Sequence, residues 1–550
     1  MDEPTRKRAP LWFKLGSAVT ACAAIFFVFR HVDMSDLVRT FHHAHPGWLL
    51  VSIAFYGIVF PPSAWRWHLM LRLTGNAVHF GATFTMSLIG HFFYTLLFGV
   101  AGGDLAKSAL YASWYQLPLP EILAAAPLDR LLGFGGLIIF IILSFSLAAW
   151  NGAFFQLNTS SLHISTAWIL ITLVLIGLAV ALFMKFGRIP GVAKWLQALR
   201  FSLAQMMVSK SIVLQGVACG FLVQVGLAGS LALSLQAVSH TEIPWGQLLW
   251  TFPIICIISA VPFTVAGLGF REGAALSLLG LYGISPADAV AASLLTLVGR
   301  LAWAAVGGMV LWKERQFQTK SRPLPRTISV IIPTYNEAQC LPETIHHARA
   351  IPEVSEIIVV DGGSKDGTRE VAAALGCKVM QCAPGRGGQM RLGAAQASGD
   401  IVLLLHADTW LSANAGRAAI SCLRDVHVAG GGFWKQFRAA PALLLGSRLK
   451  CAIRLYLGRR ILGDQTMFFR RETLESVGGV PDMPLMEEFE LCRRLRRVGR
   501  IALAESTVLT SARRFTRRGV IRTYLLMWRV TWRYRLGASP QELRKLYEQP

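Results

Sequence analysis

The chain has 550 residues, of which 53% are apolar and only 15% charged, yet Lys and Arg outnumber Asp and Glu by 54 to 31. So low a charged fraction excludes an ordinary soluble globule, so high an apolar fraction excludes disorder, and nine cysteines in this length exclude a disulfide scaffold. A membrane protein with a basic face remains.

The charge is uneven. Residues 1–320 hold 20 basic and 11 acidic side chains, and residues 321–550 hold 34 and 20. An apolar half precedes a charged, more soluble half.

A run of about 20 apolar residues spans a bilayer as a helix. Six candidates are Leu11–Phe29, Gly47–Trp65, Ile122–Trp150, Thr166–Phe186, Ile212–Gln236 and Ala289–Trp312. The first resembles a signal peptide locally, but the five later spans favour an uncleaved anchor. Two further apolar stretches, Thr83–Ala109 and Phe252–Leu279, are interrupted by Gly102-Gly103-Asp104 and by Pro262 with Gly267–Gly273. Such breaks predict broken or re-entrant helices, tolerated where protein or a wet cavity covers them. Arg6, Lys7 and Arg8 place the N-terminus in the cytoplasm of an inner (plasma) membrane, and later basic loops agree with six spans and two non-crossing hairpins. Each break falls within a set of three spans, the arrangement of inverted repeats with paired broken helices.

Ionisable residues inside membrane segments are costly and often functional. Asp104, Lys107, Asp129, Arg130, Arg271, Glu272 and Arg300 form the set here. The adjacent Asp129-Arg130 and Arg271-Glu272 are expected to pair, and the group to line a polar cavity for a charged headgroup. Pairing that merely holds helices together is the plainer account of any one residue.

Trp65-Arg66-Trp67, Gly102-Gly103-Asp104, Asp129-Arg130-Leu131-Leu132-Gly133 and Gly267–Gly273 resemble the transmembrane domain of lysylphosphatidylglycerol synthases and related flippase-like proteins. The resemblance covers roughly residues 10–315 and implies a lipid-handling domain. That family's aminoacyl-transferase domain has no counterpart here.

A short basic linker, residues 316–326, carries Pro323 and Pro325. Strands are then expected at Thr327–Pro333, Glu356–Asp361 and Ile401–Leu405, with helices at Leu341–Ala350, Lys365–Leu375, Gly388–Ala397 and Ser412–Leu423. This alternation predicts a parallel α/β sheet with ligands at the strand C-terminal ends. Those ends read Pro333-Thr334-Tyr335-Asn336-Glu337 and Asp361-Gly362-Gly363-Ser364. Two such turns in register favour a nucleotide site over a pair of ordinary helix caps. Gly385–Gly393 allows close backbone approach, with Arg386 and Arg391 as phosphate candidates. It lacks the Gly-Lys-Ser/Thr ending of a P-loop. His406-Ala407-Asp408 after a strand can place an oxygen on a divalent metal bridging a diphosphate. Glu487-Glu488 opens a helix that ends in arginines, which complements the helix dipole and also presents a carboxylate as general base.

Together these segments resemble an inverting family 2 glycosyltransferase of GT-A fold over residues 327–510. Gly385–Thr409, Gly463-Asp464-Gln465 and Pro484–Arg500 resemble a bacterial subgroup assigned to arsenosugar biosynthesis. The resemblance implies a nucleotide-sugar donor bound by Pro333, Tyr335, Glu337, Asp361 and Gly362, and Mg²⁺ or Mn²⁺ on Asp408. Asp464 and Gln465 are carried over for the acceptor side. His406 stands where the family's metal motif begins with Asp, and Glu488 stands where its acidic pair ends in Asp, so Glu487 stays a candidate base. The Gln-x-x-Arg-Trp motif of processive synthases is absent, which implies one sugar per acceptor.

The tail, residues 511–550, holds eight arginines between Arg513 and Arg535, interleaved with Leu525, Trp528 and Trp532. It reads as a helix lying on an anionic membrane surface, with Ala440–Leu462 as a second such segment. Tethering to six spans argues against nucleic acid as the partner. Cysteines on the cytoplasmic side should be reduced. The expected activity is transfer of a sugar to a lipid-linked or membrane-proximal acceptor on the cytoplasmic face. The alternatives are a lipid flippase with a docking soluble domain, and nucleotidyl transfer releasing pyrophosphate.

Overall fold

A computed structural model of the chain describes residues 30–152, 190–239, 245–259, 269–318, 323–438 and 446–548, apart from positions 31 and 457 and with 243 besides. The chain forms two compact units, Met1–Gln316 and Phe317–Pro550.

In the first unit, four helices are long and apolar enough to cross a membrane: Pro46–Leu73, Leu119–Trp150, Lys210–Val238 and Pro286–Arg315. They coincide with four of the six expected spans. Leu11–Phe29 and Thr166–Phe186 lie outside the described residues. The last of these helices continues to Gln318, into the expected linker.

Small residues let two spans meet at backbone contact. A Cβ on Gly136 would overlap the Phe221 amide, and one on Gly220 would lie 2.9 Å from the Leu132 carbonyl. Helices surrounded by lipid gain little from apolar burial against each other, so close approach through glycine supplies the attraction instead.

Both interrupted stretches fold back on themselves. The first runs as Phe80–Phe93, a wide turn at Tyr94–Phe98, and Gly99–Trp114. Nine residues of continuous helix separate their ends by about 13.5 Å. Here a Cβ on Gly103 would lie only 2.9 Å from the Tyr94 Cα, and one on Gly90 2.9 Å from the Lys107 side chain. The chain therefore reverses between Gly90 and Lys107. The second stretch packs Thr251–Ser259 against Phe270–Gly280. Its Pro262 and Gly267 lie outside the described residues.

The second unit is built on eight strands: β1 Ile328–Thr334, β2 Val354–Asp361, β3 Lys378–Gln381, β4 Ile401–Leu404, β5 Thr409–Leu411, β6 Val428–Arg438, β7 Met467–Arg470 and β8 Arg500–Ser511. Their order is β3-β2-β1-β4-β7-β6-β8-β5. The first four run parallel, as the strand–helix alternation predicts. The sheet as a whole is mixed, which corrects the expectation of a parallel sheet. β7 returns antiparallel to β4 and to β6, and β5 antiparallel to β8. Alternate residues of the central strands feed two cores. Val330, Ile332 and Val359 pack on one face, and Ile331, Ile358 and Val360 on the other. With both faces covered, the open C-terminal ends of β1, β2 and β4 are where loops collect, at the point where the strand order reverses.

Candidate active site and membrane cavity

The loops after β1 and β2 are stitched together. The Asn336 amide donates to Ser364 Oγ (2.8 Å), that of Glu337 to Thr368 Oγ1 (3.0 Å), and that of Ala338 to Asp366 Oδ2 (3.0 Å). The Lys365 amide returns a bond to Asn336 Oδ1 at 3.0 Å. Gln389, which sequence reasoning passed over inside its glycine-rich segment, donates to the Thr334 and Val360 carbonyls at 2.7 and 2.8 Å. It ties the ends of β1 and β2 and packs against Gly362. Pro333 is half-buried and Tyr335 exposed, so both present surface at this edge.

Asp361 ends β2. It is fully buried, and its carboxylate accepts the amides of Gly363 and Ser364 (both 2.9 Å), the Ser364 hydroxyl and Thr334 Oγ1. These bonds close the turn after β2.

Arg386 and Arg391 separate. Five residues along a helix turn through about 140°, so the two cannot share a face. Arg386 Nε donates to Glu487 Oε1 at 2.6 Å, its Nη2 lies 2.7 Å from Glu488 Oε1, and its Nη1 lies 3.3 Å from His406 Nε2. Arg391 is exposed. The expected pair of phosphate arginines is thus one clamp on the acidic pair and one surface residue. Burial alone would lower the Arg386 pKa, but Glu488 and Glu487 override it and hold the guanidinium charged.

Glu487 and Glu488 begin the helix Glu487–Val498, directly after Met486 in left-handed conformation (φ 70°). The side chain of Glu487 is 1% exposed and that of Glu488 10%. Gly463 gives Glu488 room: a Cβ there would overlap Glu488 Oε1 and lie 2.6 Å from His406 Nε2, so a larger residue would push the carboxylate aside. The neighbouring Asp464 is bound by Lys435 Nζ at 2.5 Å, with Arg454 Nη1 at 3.7 Å. Burial by itself would raise its pKa, but Lys435 and Arg454 hold it well below the usual carboxylate range. Gln465 is fully buried and accepts from Arg454 Nη1 (3.1 Å). It braces this loop, accepting also from the Leu462 amide at 3.3 Å. No local sequence signal marks Lys435 or Arg454 as partners: Lys435 lies in β6, and Arg454 in the basic stretch Ala440–Leu462 expected at the membrane surface.

His406 and Asp408 look in different directions. His406 faces Arg386 and Glu488. Asp408 Oδ2 and Glu337 Oε2 both accept from Arg513 Nη2, at 3.2 and 3.0 Å. Burial raises the Glu337 pKa, with Arg513 opposing. Among the described residues no group of three or more His, Cys, Asp or Glu side chains is placed to hold a metal. Two carboxylate oxygens converging on one cation are nevertheless the hard donors that Mg²⁺ and Mn²⁺ take. Asp408 and Glu337 therefore fit such an ion, and His406, turned away, does not join them.

The membrane unit has a second polar centre, a cavity of about 580 Å³. Both folded-back segments line it, through His91, Asp104 and Lys107 from the first and Cys256 and Arg271 from the second. Arg66, Asp129, Arg130 and Arg300 line it as well. Arg271 pairs with Glu272 at 2.5 Å, as expected. Asp129 and Arg130 do not pair with each other, because each is taken by a partner on another helix. Asp129 instead receives a two-bond fork from Arg66 at 2.8 and 3.0 Å. Arg130 donates to Asp104 at 2.7 and 3.0 Å. Lys107 Nζ lies 3.5 Å from Asp104 and 4.0 Å above the Trp67 ring.

The chain thus joins spans, folded-back helices and a charged cavity to a mixed α/β sheet whose strand ends carry the stitched loops. Residues 14–303 match the family model of the lysylphosphatidylglycerol synthase TM region, and residues 329–440 match that of glycosyl transferase family 2. The chain belongs to the lysylphosphatidylglycerol synthase TM-region family, here followed by a segment that matches glycosyl transferase family 2. It is similar to the uncharacterized glycosyltransferase YaiP of Escherichia coli K12, 26% identical over 33% of this chain and 51% of the relative. It is also similar to undecaprenyl-phosphate 4-deoxy-4-formamido-L-arabinose transferase of Pseudomonas savastanoi, 32% identical over 16% of this chain and 30% of the relative. The chain thus spans about half the length of the first and under a third of the second. Among solved structures, the mannosyltransferase PcManGT of Pyrobaculum calidifontis, in complex with GDP-Man and Mn²⁺, aligns over 44% of this chain and 74% of its own at 19% identity and TM-score 0.32.

Proposed function

We propose that the enzyme transfers one sugar, with inversion, from a nucleotide donor to a lipid or lipid-linked acceptor on the cytoplasmic face of the plasma membrane. The observation that carries this is the tail helix Val520–Arg535. Its inner face buries Thr523 and Val530 and packs Leu526 and Tyr534 near Met486 and Phe489, beside the acidic pair. Its outer face exposes Ile521, Leu525, Trp528, Trp532 and Leu536, one apolar stripe at helical spacing. Arginines 522, 529, 533 and 535 border it. An apolar stripe with a basic margin fits an anionic membrane interface. This placement favours an acceptor delivered from the bilayer, and the similarity to an undecaprenyl-phosphate transferase supports the same choice.

In this reading the stitched loops at Pro333–Glu337 and Gly362–Thr368 hold the nucleotide. Glu488, the more accessible of the acidic pair, takes the proton from the acceptor hydroxyl as that oxygen attacks the sugar's anomeric carbon. Arg386 and Gly463 fix the position of Glu488. Asp408 and Glu337 would hold a divalent metal, whose charge stabilises the leaving diphosphate. The test is to incubate membranes with a panel of nucleotide sugars and follow lipid and soluble products by mass spectrometry. A mass increment of one sugar on a lipid is expected with wild type, and none with Asp408→Asn. Pyrophosphate as the released product, or undiminished transfer by Asp408→Asn, would overturn the assignment.

A second reading, lipid translocation, is favoured by the cavity where both folded-back segments meet. Purified protein in liposomes is then expected to move labelled anionic lipid between leaflets. A rate equal to that of protein-free liposomes sinks this reading and leaves sugar transfer standing.

A further inference from the structure

We propose that Arg513 is an internal cation that occupies the Asp408 carboxylate until a divalent metal displaces it. The inference rests on the donor-site reading of Asp408 given above. Three observations carry it.

The first is geometric. One guanidinium nitrogen serves Glu337 Oε2 at 3.0 Å and Asp408 Oδ2 at 3.2 Å. A divalent metal bonds a carboxylate oxygen at about 2.0–2.6 Å, and nitrogen and metal cannot share that approach. Occupancy by one excludes the other.

The second is electrostatic. Two carboxylates this close to one point need a positive charge between them. The remaining side chain of the expected metal motif, His406, is committed to Arg386 and Glu488 on the other side. Arg438 donates to the backbone carbonyl of Asp408 at 2.7 Å and lies 3.6 Å above the Trp410 ring, so it supports the loop without meeting the carboxylate in this arrangement. Arg513 is the countercharge that the fold supplies.

The third is mechanical. Arg513 begins the short helix Arg513–Arg518, directly after β8, and its side chain is 42% exposed. Ala512 and Phe515 on either side of it pack with Phe437, Val520, Tyr524 and Met527. Val520 and Tyr524 belong to the tail helix with the exposed apolar stripe. The residue that holds the donor-site carboxylates is therefore packed against the helix that carries the exposed apolar stripe. A metal then binds only the fraction of molecules in which Arg513 has moved away, and its apparent affinity is reduced by that fraction.

The test is direct Mn²⁺ binding to the full-length protein in detergent without nucleotide, followed by the EPR signal of free Mn²⁺. Arg513→Gln is expected to bind Mn²⁺ about fivefold more tightly than wild type, the scale set by an exposed ion pair that must open first. Arg513→Lys, which keeps the charge, is expected to stay near wild type. Asp408→Asn is expected to lose the site in either background. Equal or weaker binding by Arg513→Gln overturns the proposal, as does the absence of Mn²⁺ binding in every variant. Release of nucleoside diphosphate from a sugar nucleotide, measured on the same samples, reports separately on the transferase reading. No turnover by wild type with the affinity shift intact sinks that reading and leaves the competition between Arg513 and metal in place.

Discussion

Glu488→Gln is expected to cut sugar transfer by about 10²–10⁴-fold, the contribution of a positioned general base. Donor binding should hardly change, because the donor loops at Pro333–Glu337 and Gly362–Thr368 do not bond Glu488. The amide keeps the size of the side chain, so Gly463 and His406 need not move. It loses the capacity to take a proton. Glu488→Asp keeps the charge but draws it back by a methylene, and should fall between wild type and the amide. Glu487→Gln is the control. Its carboxylate is almost wholly buried against Arg386, so neutralising it leaves a cation short of one partner. The expected result is a lower unfolding temperature with activity reduced in step, not a catalytic loss at full stability. Release of nucleoside diphosphate under saturating donor and acceptor separates the three variants. Full activity in Glu488→Gln would move the base elsewhere.

How much of this site was visible in the sequence depends on the range of the forces involved. The four described spans follow from apolar runs alone, and the two stitched turns follow from strand ends rich in Asn, Asp, Gly and Ser. β6 escaped because Val428–Arg438 contains three consecutive glycines, a composition that argues against a strand. The reason for two of those glycines lies 37 and 39 residues away. Side chains at 430 and 431 would overlap the Phe469 and Phe468 rings of β7. Arg386 was legible as a functional cation but not in its contact, since its partners Glu487 and Glu488 are about a hundred residues distant. Arg513 was hidden among the arginines of the tail, where no local feature distinguishes the one that reaches Asp408. The same holds in the membrane unit. The ionisable residues were legible as a set, while the pairing of Asp129 with Arg66, 63 residues apart, required the fold.

That pair yields the largest stability effect expected in the membrane unit. Both side chains are 7% exposed, and two parallel hydrogen bonds join them. Asp129→Asn removes one charge and leaves Arg66 buried without its counter-ion, which costs about 3–5 kcal/mol. The expected observation is a marked fall in the unfolding temperature of the full-length protein in detergent. Replacing both partners with apolar residues, Arg66→Met with Asp129→Leu, should cost less than the single change, because no orphan charge remains. The comparison also bears on the cavity. Arg66, Lys107, Arg130, Arg271 and Arg300 line it, against the carboxylates of Asp104, Asp129 and the Arg271 partner Glu272. Among the described residues, five cations against three anions leave the space positive, and Nη1 of the buried Arg271 has no hydrogen-bond partner. If these charges served only to bolt helices together, the double apolar variant would keep every function while recovering stability. If the positive excess serves an anionic headgroup, removing the neutral Arg66–Asp129 pair leaves that excess unchanged and lipid movement should persist. Arg271→Gln, which lowers the excess by one, should then slow that movement even where the protein remains folded.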